Sequence, residues 1–321
     1  NSSLPYFPLP DSYPQYPSKE QVVDYLVDYS GTLKTQPLFN QKVNAVARKG
    51  TNWNVATADR NYTAGEVIIA TGNTRMPVWP DFECMANFHG SIIHSSSYIN
   101  GAPYEGKKVL IVGFGNSACE IAICLHEHSA FPYMSVRNGV NVIPRDIFGI
   151  PIVYVGIAES FLPPAFADFV NKPFIRLSLG SIDKSGLKQL PYGALTQIVK
   201  DRKAPVIDVG TLALIRDRAV KVLPGVSRFT ENGVVLENGR EEHFDAVILG
   251  TGYRAAVNDF LKDTSVLDKN GCPKSGGHST SKGLYFCGFD VVATGALHQI
   301  GIEAKSIAND IMNKSGKSAH D

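Results

Sequence analysis

The 321-residue sequence is poor in net charge: 31 basic residues face 30 acidic ones, for a formal net of +1, and no long run carries one sign. A chain without a basic patch excludes nucleic acid as an expected partner. Cysteine is scarce too. The five residues Cys84, Cys119, Cys124, Cys272 and Cys287 form no Cys-x-x-Cys pair and no metal-ligand spacing, and an odd count suits reduced thiols better than a disulfide framework. Cys119 and Cys124 lie five residues apart, a step that turns side chains about 140° apart on a helix, so they are read as packed thiols. No Gly-x-Ser-x-Gly occurs and the eight histidines lack metal-ligand spacing, which removes a hydrolase nucleophile and a resident metal. Residues 1–17, rich in proline and tyrosine, offer neither a basic n-region nor an apolar h-region. A cytoplasmic protein is the resulting expectation. The longest apolar stretch, 147–179, is interrupted by Glu159, Asp168, Lys172, Arg176 and the pair Pro163-Pro164, so no membrane span is expected. Two helices over an active site, able to touch a membrane surface peripherally, fit it better.

What the sequence does hold is α/β patterning. With 44% hydrophobic residues it can bury one or two cores. Ser18 to Tyr29 reads as a capped amphipathic helix ended by Gly31. Two β-rich runs follow, Gln41 to Ala47 and Asn52 to Thr57, and then Glu66 to Ala70, an unbroken apolar run with the look of a buried strand, stopped by Thr71-Gly72. From Lys108 the order becomes strand (to Val112), glycine turn, helix (Asn116 to His128), strand (Tyr133 to Arg137), a βαβ unit. Later strands include Gly233 to Leu236 and Asp245 to Leu249, the latter stopped by Gly250-Thr251-Gly252.

The turn Gly113-Phe114-Gly115-Asn116-Ser117-Ala118 matches the dinucleotide fingerprint with alanine in third place. Gly113 permits the tight turn, Gly115 lets the backbone approach a pyrophosphate, and Ala118 allows close helix–strand packing. The helix then offers free N–H groups and a positive dipole end to phosphates. Where a site for NADH usually has a carboxylate, this strand ends in Arg137. A guanidinium suits a 2′-phosphate, so NADPH is the expected nucleotide.

The run Phe88-His-Gly90-Ser-Ile-Ile-His94-Ser-Ser-Ser-Tyr98 resembles the Phe-x-Gly-x-x-x-His-x-x-x-Tyr/Phe pattern of flavin-containing monooxygenases. Met76 to Pro80 and Leu249-Gly-Thr251-Gly252-Tyr253-Arg254 are similar to that family's two crossings between flavin and NADPH domains. Within the family, Gly115-Asn-Ser-Ala-Cys-Glu120, Val136 to Arg145, Pro205 to Thr211 and Val220 to Gly225 most resemble the YUCCA-type indole-3-pyruvate monooxygenases and their bacterial relatives.

The resemblance implies an α/β, two-dinucleotide-binding-domain flavoprotein fold, with a Rossmann-like NADPH domain inserted in an FAD domain. The expected parts are 1–98 and 250–321 for FAD, and 99–249 for NADPH with a helical insertion at about 147–180. FAD and NADPH are the implied cofactors, and a small organic molecule and O2 the substrates. Oxygen transfer is expected through a flavin C4a-(hydro)peroxide. Thr71, Gly72, Thr251 and Gly252 are implied at the cofactors, as are Asp290, which follows Leu284-Tyr-Phe-Cys-Gly-Phe, and Gly295, which opens a last helix through Ile302 to Ile311. No catalytic residue is assigned, and His94 is taken as a junction feature. The family's opening FAD fingerprint has no counterpart here, since Gly113 starts the only such motif. An incomplete FAD domain that folds poorly and holds FAD weakly is therefore expected, with a truncated nucleotide-binding remnant as an alternative to an enzyme. A disulfide reductase would need a reactive cysteine pair, and a Baeyer–Villiger enzyme a tryptophan where Tyr98 stands. Nothing in the sequence sets the oligomeric state.

Overall fold

The computed structural model describes residues 3–277 and 281–317. The chain divides into two compact units, one of Asn1–Arg75, Arg254–Asp290 and Thr294–Asp321, the other of Met76–Tyr253 and Val291–Ala293. The division falls at Arg75 rather than near 98. Its cause lies in the second unit's sheet, which takes Ser91–His94 as a strand beside Ala246–Leu249.

In the first unit a helix spans Lys19–Thr32. Ser18 Oγ accepts from the Gln21 N–H at 3.3 Å while the Gln21 side chain accepts from the Ser18 N–H at 2.8 Å, a reciprocal cap that satisfies two donors the helix cannot. Gly31 does not end this helix. The cap comes at Leu33, and the next residue, Lys34, takes the left-handed conformation (φ 52°) that glycine usually supplies, its N–H bonding to the Gly31 carbonyl at 3.1 Å while the Thr35 N–H bonds to the Ser30 carbonyl at 3.3 Å. An antiparallel sheet of Val43–Lys49, Asn52–Thr57 and Asn61–Ala64 follows, and Trp53, fully buried, anchors its core with Val46, Leu284 and Phe286.

The strand expected from Glu66 to Ala70 is shorter, Val67–Ile69, and pairs in parallel with Leu284–Phe286. It is also less buried than its apolar run implies. Ile69 is 4% exposed but Ile68 is 50% exposed, because successive strand residues face opposite sides and only the Ile69 side meets the core of this unit.

The second unit is built on five parallel strands in the order Lys221–Leu223, Phe131–Ser135, Lys108–Val112, Ala246–Leu249, Ser91–His94. Val109, Leu110, Ile111, Val247, Ile248 and Leu249 are fully buried, as unbroken apolar runs must be when both faces of a parallel sheet are covered. The helix Asn116–Glu127 turns Ala118, Cys119, Ile121, Ala122 and Leu125 toward the core. The second strand ends at Ser135, so Arg137 stands two residues beyond it.

The insertion is a hairpin of Asp146–Ile147 and Ile150–Pro151 followed by helices Ile152–Ala158 and Pro164–Leu179. Proline in the first turn suits the start of the second helix, where an N–H has no partner to lose. Both carboxylate oxygens of Asp168 accept from the Leu195 and Thr196 N–H groups at 2.9 Å, tying this helix to the free N-terminus of Ala194–Asp201. No helix among the described residues is long and apolar enough to cross a membrane.

Candidate functional site

The dinucleotide turn is formed as its small residues require. Gly113 has φ +119° and a Cβ there would run into the Gly250 carbonyl oxygen. A Cβ on Gly250 would in turn meet the Cβ of Ala118 at 2.8 Å, so Ala118 is small because the helix rides directly on the neighbouring strand end. Gly115 is the opposite case. It is exposed, and a Cβ there would find nothing within 4 Å. The space in front of it is open backbone surface of the kind a diphosphate needs. Gly115 caps the helix without any side-chain acceptor, leaving the first N–H groups pointed outward.

The other fingerprint residues divide by role. Phe114 is 9% exposed and belongs to the core. Asn116 is a brace: its Oδ1 accepts from the Ile207 N–H at 2.7 Å and its Nδ2 donates to the Pro205 carbonyl at 3.2 Å, which consumes the side chain. Ser117 is exposed. Arg137 is exposed on the loop after the second strand and forms no hydrogen bond or ion pair with the described residues. Thr251 and Gly252 close the Ala246–Leu249 strand, and both are engaged. Thr251 Oγ1 donates to the Val78 carbonyl at 2.6 Å, and the Gly252 carbonyl accepts from the Val78 N–H at 3.0 Å and from His94 Nε2 at 3.1 Å.

His94 is 1% exposed. A carbonyl can only accept, so Nε2 carries the proton, and Nδ1 accepts from Ser96 N–H at 3.1 Å and Oγ at 3.0 Å. Burial holds its pKa below the ordinary 6.5, with the Gly252 carbonyl opposing. A neutral ring with both nitrogens committed is a structural link, in agreement with its reading as a junction feature. Tyr98 stacks on Tyr104 at 6.1 Å between ring centres.

In the first unit, Thr71-Gly72 and Gly288 to Asp290 leave the C-terminal ends of the parallel pair, where ligands settle in open α/β sheets. The Cys287 N–H donates to the Ile69 carbonyl at 3.0 Å, a Cβ on Gly72 would lie 3.8 Å from the Gly288 carbonyl oxygen, and Asn73 Nδ2 donates to the Phe289 carbonyl at 2.5 Å. Two segments more than two hundred residues apart thus form one ledge. Asp290 is half-buried on it, and Gly295 directly precedes the helix Ala296–Lys317. This helix begins where expected and runs beyond Ile311.

Sequence reasoning missed Glu303. Its carboxylate, 3% exposed, accepts from the Gly288 N–H at 2.7 Å and from Gln299 Nε2 at 3.1 Å. The one signal was its position on the stripe of Ile300, Ile307 and Ile311, the face that helical periodicity turns inward, where residue type alone would place a carboxylate in solvent. Burial raises the Cys287 thiol to about 11, with Glu303 beside it adding to the shift, and burial raises Cys119 to about 12. No disulfide joins the five cysteines in the structure.

A family model described as flavin-binding monooxygenase-like matches residues 2–271. This chain belongs to that family. The chain is 37% identical to the probable indole-3-pyruvate monooxygenase YUCCA3 of Arabidopsis thaliana, over 97% of its own length and 74% of the relative's. It is equally identical to the probable indole-3-pyruvate monooxygenase YUCCA4 of the same plant, over 97% and 76%. Among solved structures, a flavin-containing monooxygenase from Stenotrophomonas maltophilia superposes with a TM-score of 0.68 at 22% identity, covering 97% of this chain and 82% of the other. The NADP+-bound cyclohexanone monooxygenase from Rhodococcus sp. Phi1 gives 0.66 at 17% identity, over 93% and 71%. These superpositions show the fold, that of two-dinucleotide-binding-domain flavoproteins. The flavin-binding monooxygenase-like chain is accordingly an oxidoreductase, and FAD and NADPH, expected from its motifs, are the cofactors of its family. The residues present fit both: open glycine backbone and an uncapped helix N-terminus in one unit, and the ledge of Thr71-Gly72 against Gly288 to Asp290 in the other.

Proposed function

We propose that this chain is an NADPH- and O2-dependent monooxygenase that converts indole-3-pyruvate to indole-3-acetate. The observation that carries the reading is the open Gly115 surface at an uncapped helix N-terminus, in a chain 37% identical to indole-3-pyruvate monooxygenases over nearly its whole length. The balance is one substrate, O2, NADPH and a proton giving indole-3-acetate, CO2, NADP+ and water. Bound FAD supplies the passage of two electrons from NADPH to O2.

The chain's own residues bind and orient. N–H groups of Gly115 to Ala118 donate to the NADPH diphosphate, where helix dipole and free donors act together. Arg137 pairs with the 2′-phosphate through charge-assisted hydrogen bonds. The side chains of Phe114 and Asn116 hold the turn from behind, through the core and through the strand Val206–Asp208. Thr251 and Gly252 act likewise, by fastening the strand end through Val78 and His94. Thr71, Gly72, Asp290 and Gly295 contact FAD, with Gly288 held in position by Glu303. Five cysteines without a disulfide among them agree with a cytoplasmic setting.

The test is NADPH-driven O2 uptake with indole-3-pyruvate, a simple tertiary amine and a thioether, with products identified by mass spectrometry. Indole-3-acetate and CO2 in equal amounts support the reading. N-oxide or sulfoxide as the main product assigns the chain to an N- or S-oxygenating activity instead, and absence of any oxygenated product rejects the oxygenase.

A further inference from the structure

The helix Pro164–Leu179 leaves an apolar stripe exposed. A helix on a domain in water buries its apolar stripe and exposes its polar one. Here Phe166 is 55% exposed, Phe169 76%, Phe174 44% and Leu177 72%, and Ala167 is the one buried residue of the helix. At 3.6 residues per turn these side chains and Val170 share a single stripe, and Phe161, just before the helix, is 81% exposed. Beside the stripe the polar row at four-residue spacing, Asp168, Lys172 and Arg176, borders with Phe169 a cavity of about 620 Å3, and Lys172 and Arg176 are exposed as well. An exposed apolar stripe of this extent marks a surface that another apolar phase or partner covers.

The charges around the stripe say which medium. Of the acidic groups of the region, Asp168 accepts two backbone N–H groups, Glu159 accepts from Asn171 Nδ2 at 2.6 Å, and Asp183, across the cavity, accepts from Ser181 Oγ at 3.1 Å. Lys172 and Arg176 are exposed and meet no carboxylate among the described residues, so they border the stripe with positive charge. A second copy on the same face would bring like cations together, because a twofold contact sets a patch against itself. Anionic headgroups would complement them. The 16-residue helix, holding Pro173 and two cations, is too short and too charged to span, but it has the make-up of a helix lying in the interfacial plane.

We propose that this helix docks on an anionic phospholipid surface, with Phe161, Phe166, Phe169 and Leu177 entering the boundary between headgroups and acyl chains and Lys172 and Arg176 at headgroup level. The proposal is independent of the substrate assigned above. It is tested by co-sedimentation of the full chain with phosphatidylcholine vesicles, with and without phosphatidylserine. The expected result is partition onto the phosphatidylserine vesicles that weakens in high salt, falls roughly tenfold or more in Phe166→Ser/Leu177→Ser, and loses its lipid preference in Lys172→Glu/Arg176→Glu. Phe166 and Leu177 lie outside the cavity lining, and an unchanged thermal melt of their variant confirms that its fold is intact. The proposal is overturned if the wild-type chain stays with neither vesicle, or if the serine variant binds as well as wild type. A wild-type dimer that the serine variant converts to monomer, without vesicle binding, assigns the face to a second copy and also overturns it.

Discussion

His94 donates through Nε2 to the Gly252 carbonyl at 3.1 Å. The strand Ser91–His94 is thereby fastened to the turn beyond its parallel neighbour, at the level where Leu249 pairs with His94. The bond needs a proton on Nε2, which an imidazolium would also supply; it is Nδ1, accepting from Ser96, that must stay unprotonated and so keeps the ring neutral.

An acid-dependent loss of stability follows. Burial lowers the folded-state pKa of His94 below 6.5, the value it regains on unfolding. Between the two values the unfolded chain binds the proton and the folded one does not, so stability from this group is complete above 6.5 and drains away as pH falls toward the folded pKa. His94→Phe should cost about 1–3 kcal/mol at neutral pH, by leaving the Ser96 donors without their acceptor and the Gly252 carbonyl with the Val78 N–H alone, and should flatten the acid limb. Thermal melts from about pH 7.5 to about pH 5 decide it: equal slopes in both proteins remove His94 as the cause.

Gly113 and Gly115 should respond oppositely to a side chain. Gly113→Ala combines a left-handed φ with a collision against Gly250, and a loss of about 1–3 kcal/mol in unfolding free energy is expected. Gly115→Val meets open space, so its melt should stay near wild type while NADPH binding collapses. Calorimetric titration beside a melt reads both, and full NADPH affinity in Gly115→Val would detach the turn from the nucleotide.

Arg137→Ala should weaken NADPH by about 1.5–3 kcal/mol, the worth of hydrogen bonds to a charged group, and leave NADH unaffected. The side chain is exposed and forms no bond with the described residues, so stability should not move. An unaltered ratio of NADPH to NADH affinity rules out the pairing with a 2′-phosphate.

Glu303→Ala strips the acceptor from the half-buried Gly288 N–H and from Gln299, with an expected cost of about 1–3 kcal/mol and faster loss of FAD. Glu303→Gln keeps an acceptor oxygen and should restore most of both. Flavin release followed by fluorescence distinguishes the two, and equal retention by wild type and both variants would show that Gly288 needs no such support.

Local rules made much of this molecule legible in advance. The strand Lys108–Val112, the turn at Gly113 and the helix from Asn116 follow from an apolar run, glycines and a helical period that act over a few residues, and the structure has them where they were expected. The Ser18 cap is equally local. Sequence alone could not show that Ile68 faces outward while Ile69 is buried, because burial depends on which partners a strand finds. Nor could it tell that the Asn116 amide is consumed by Pro205 and Ile207, or that Glu303 is spent on Gly288. Those bonds join residues that periodicity treats as strangers, and only the folded chain brings them within 3.2 Å. The outward stripe of Pro164–Leu179 lies between these cases: its period is written in the sequence, but its direction is set by Asp168, which anchors the helix by its polar side to the backbone of Leu195 and Thr196.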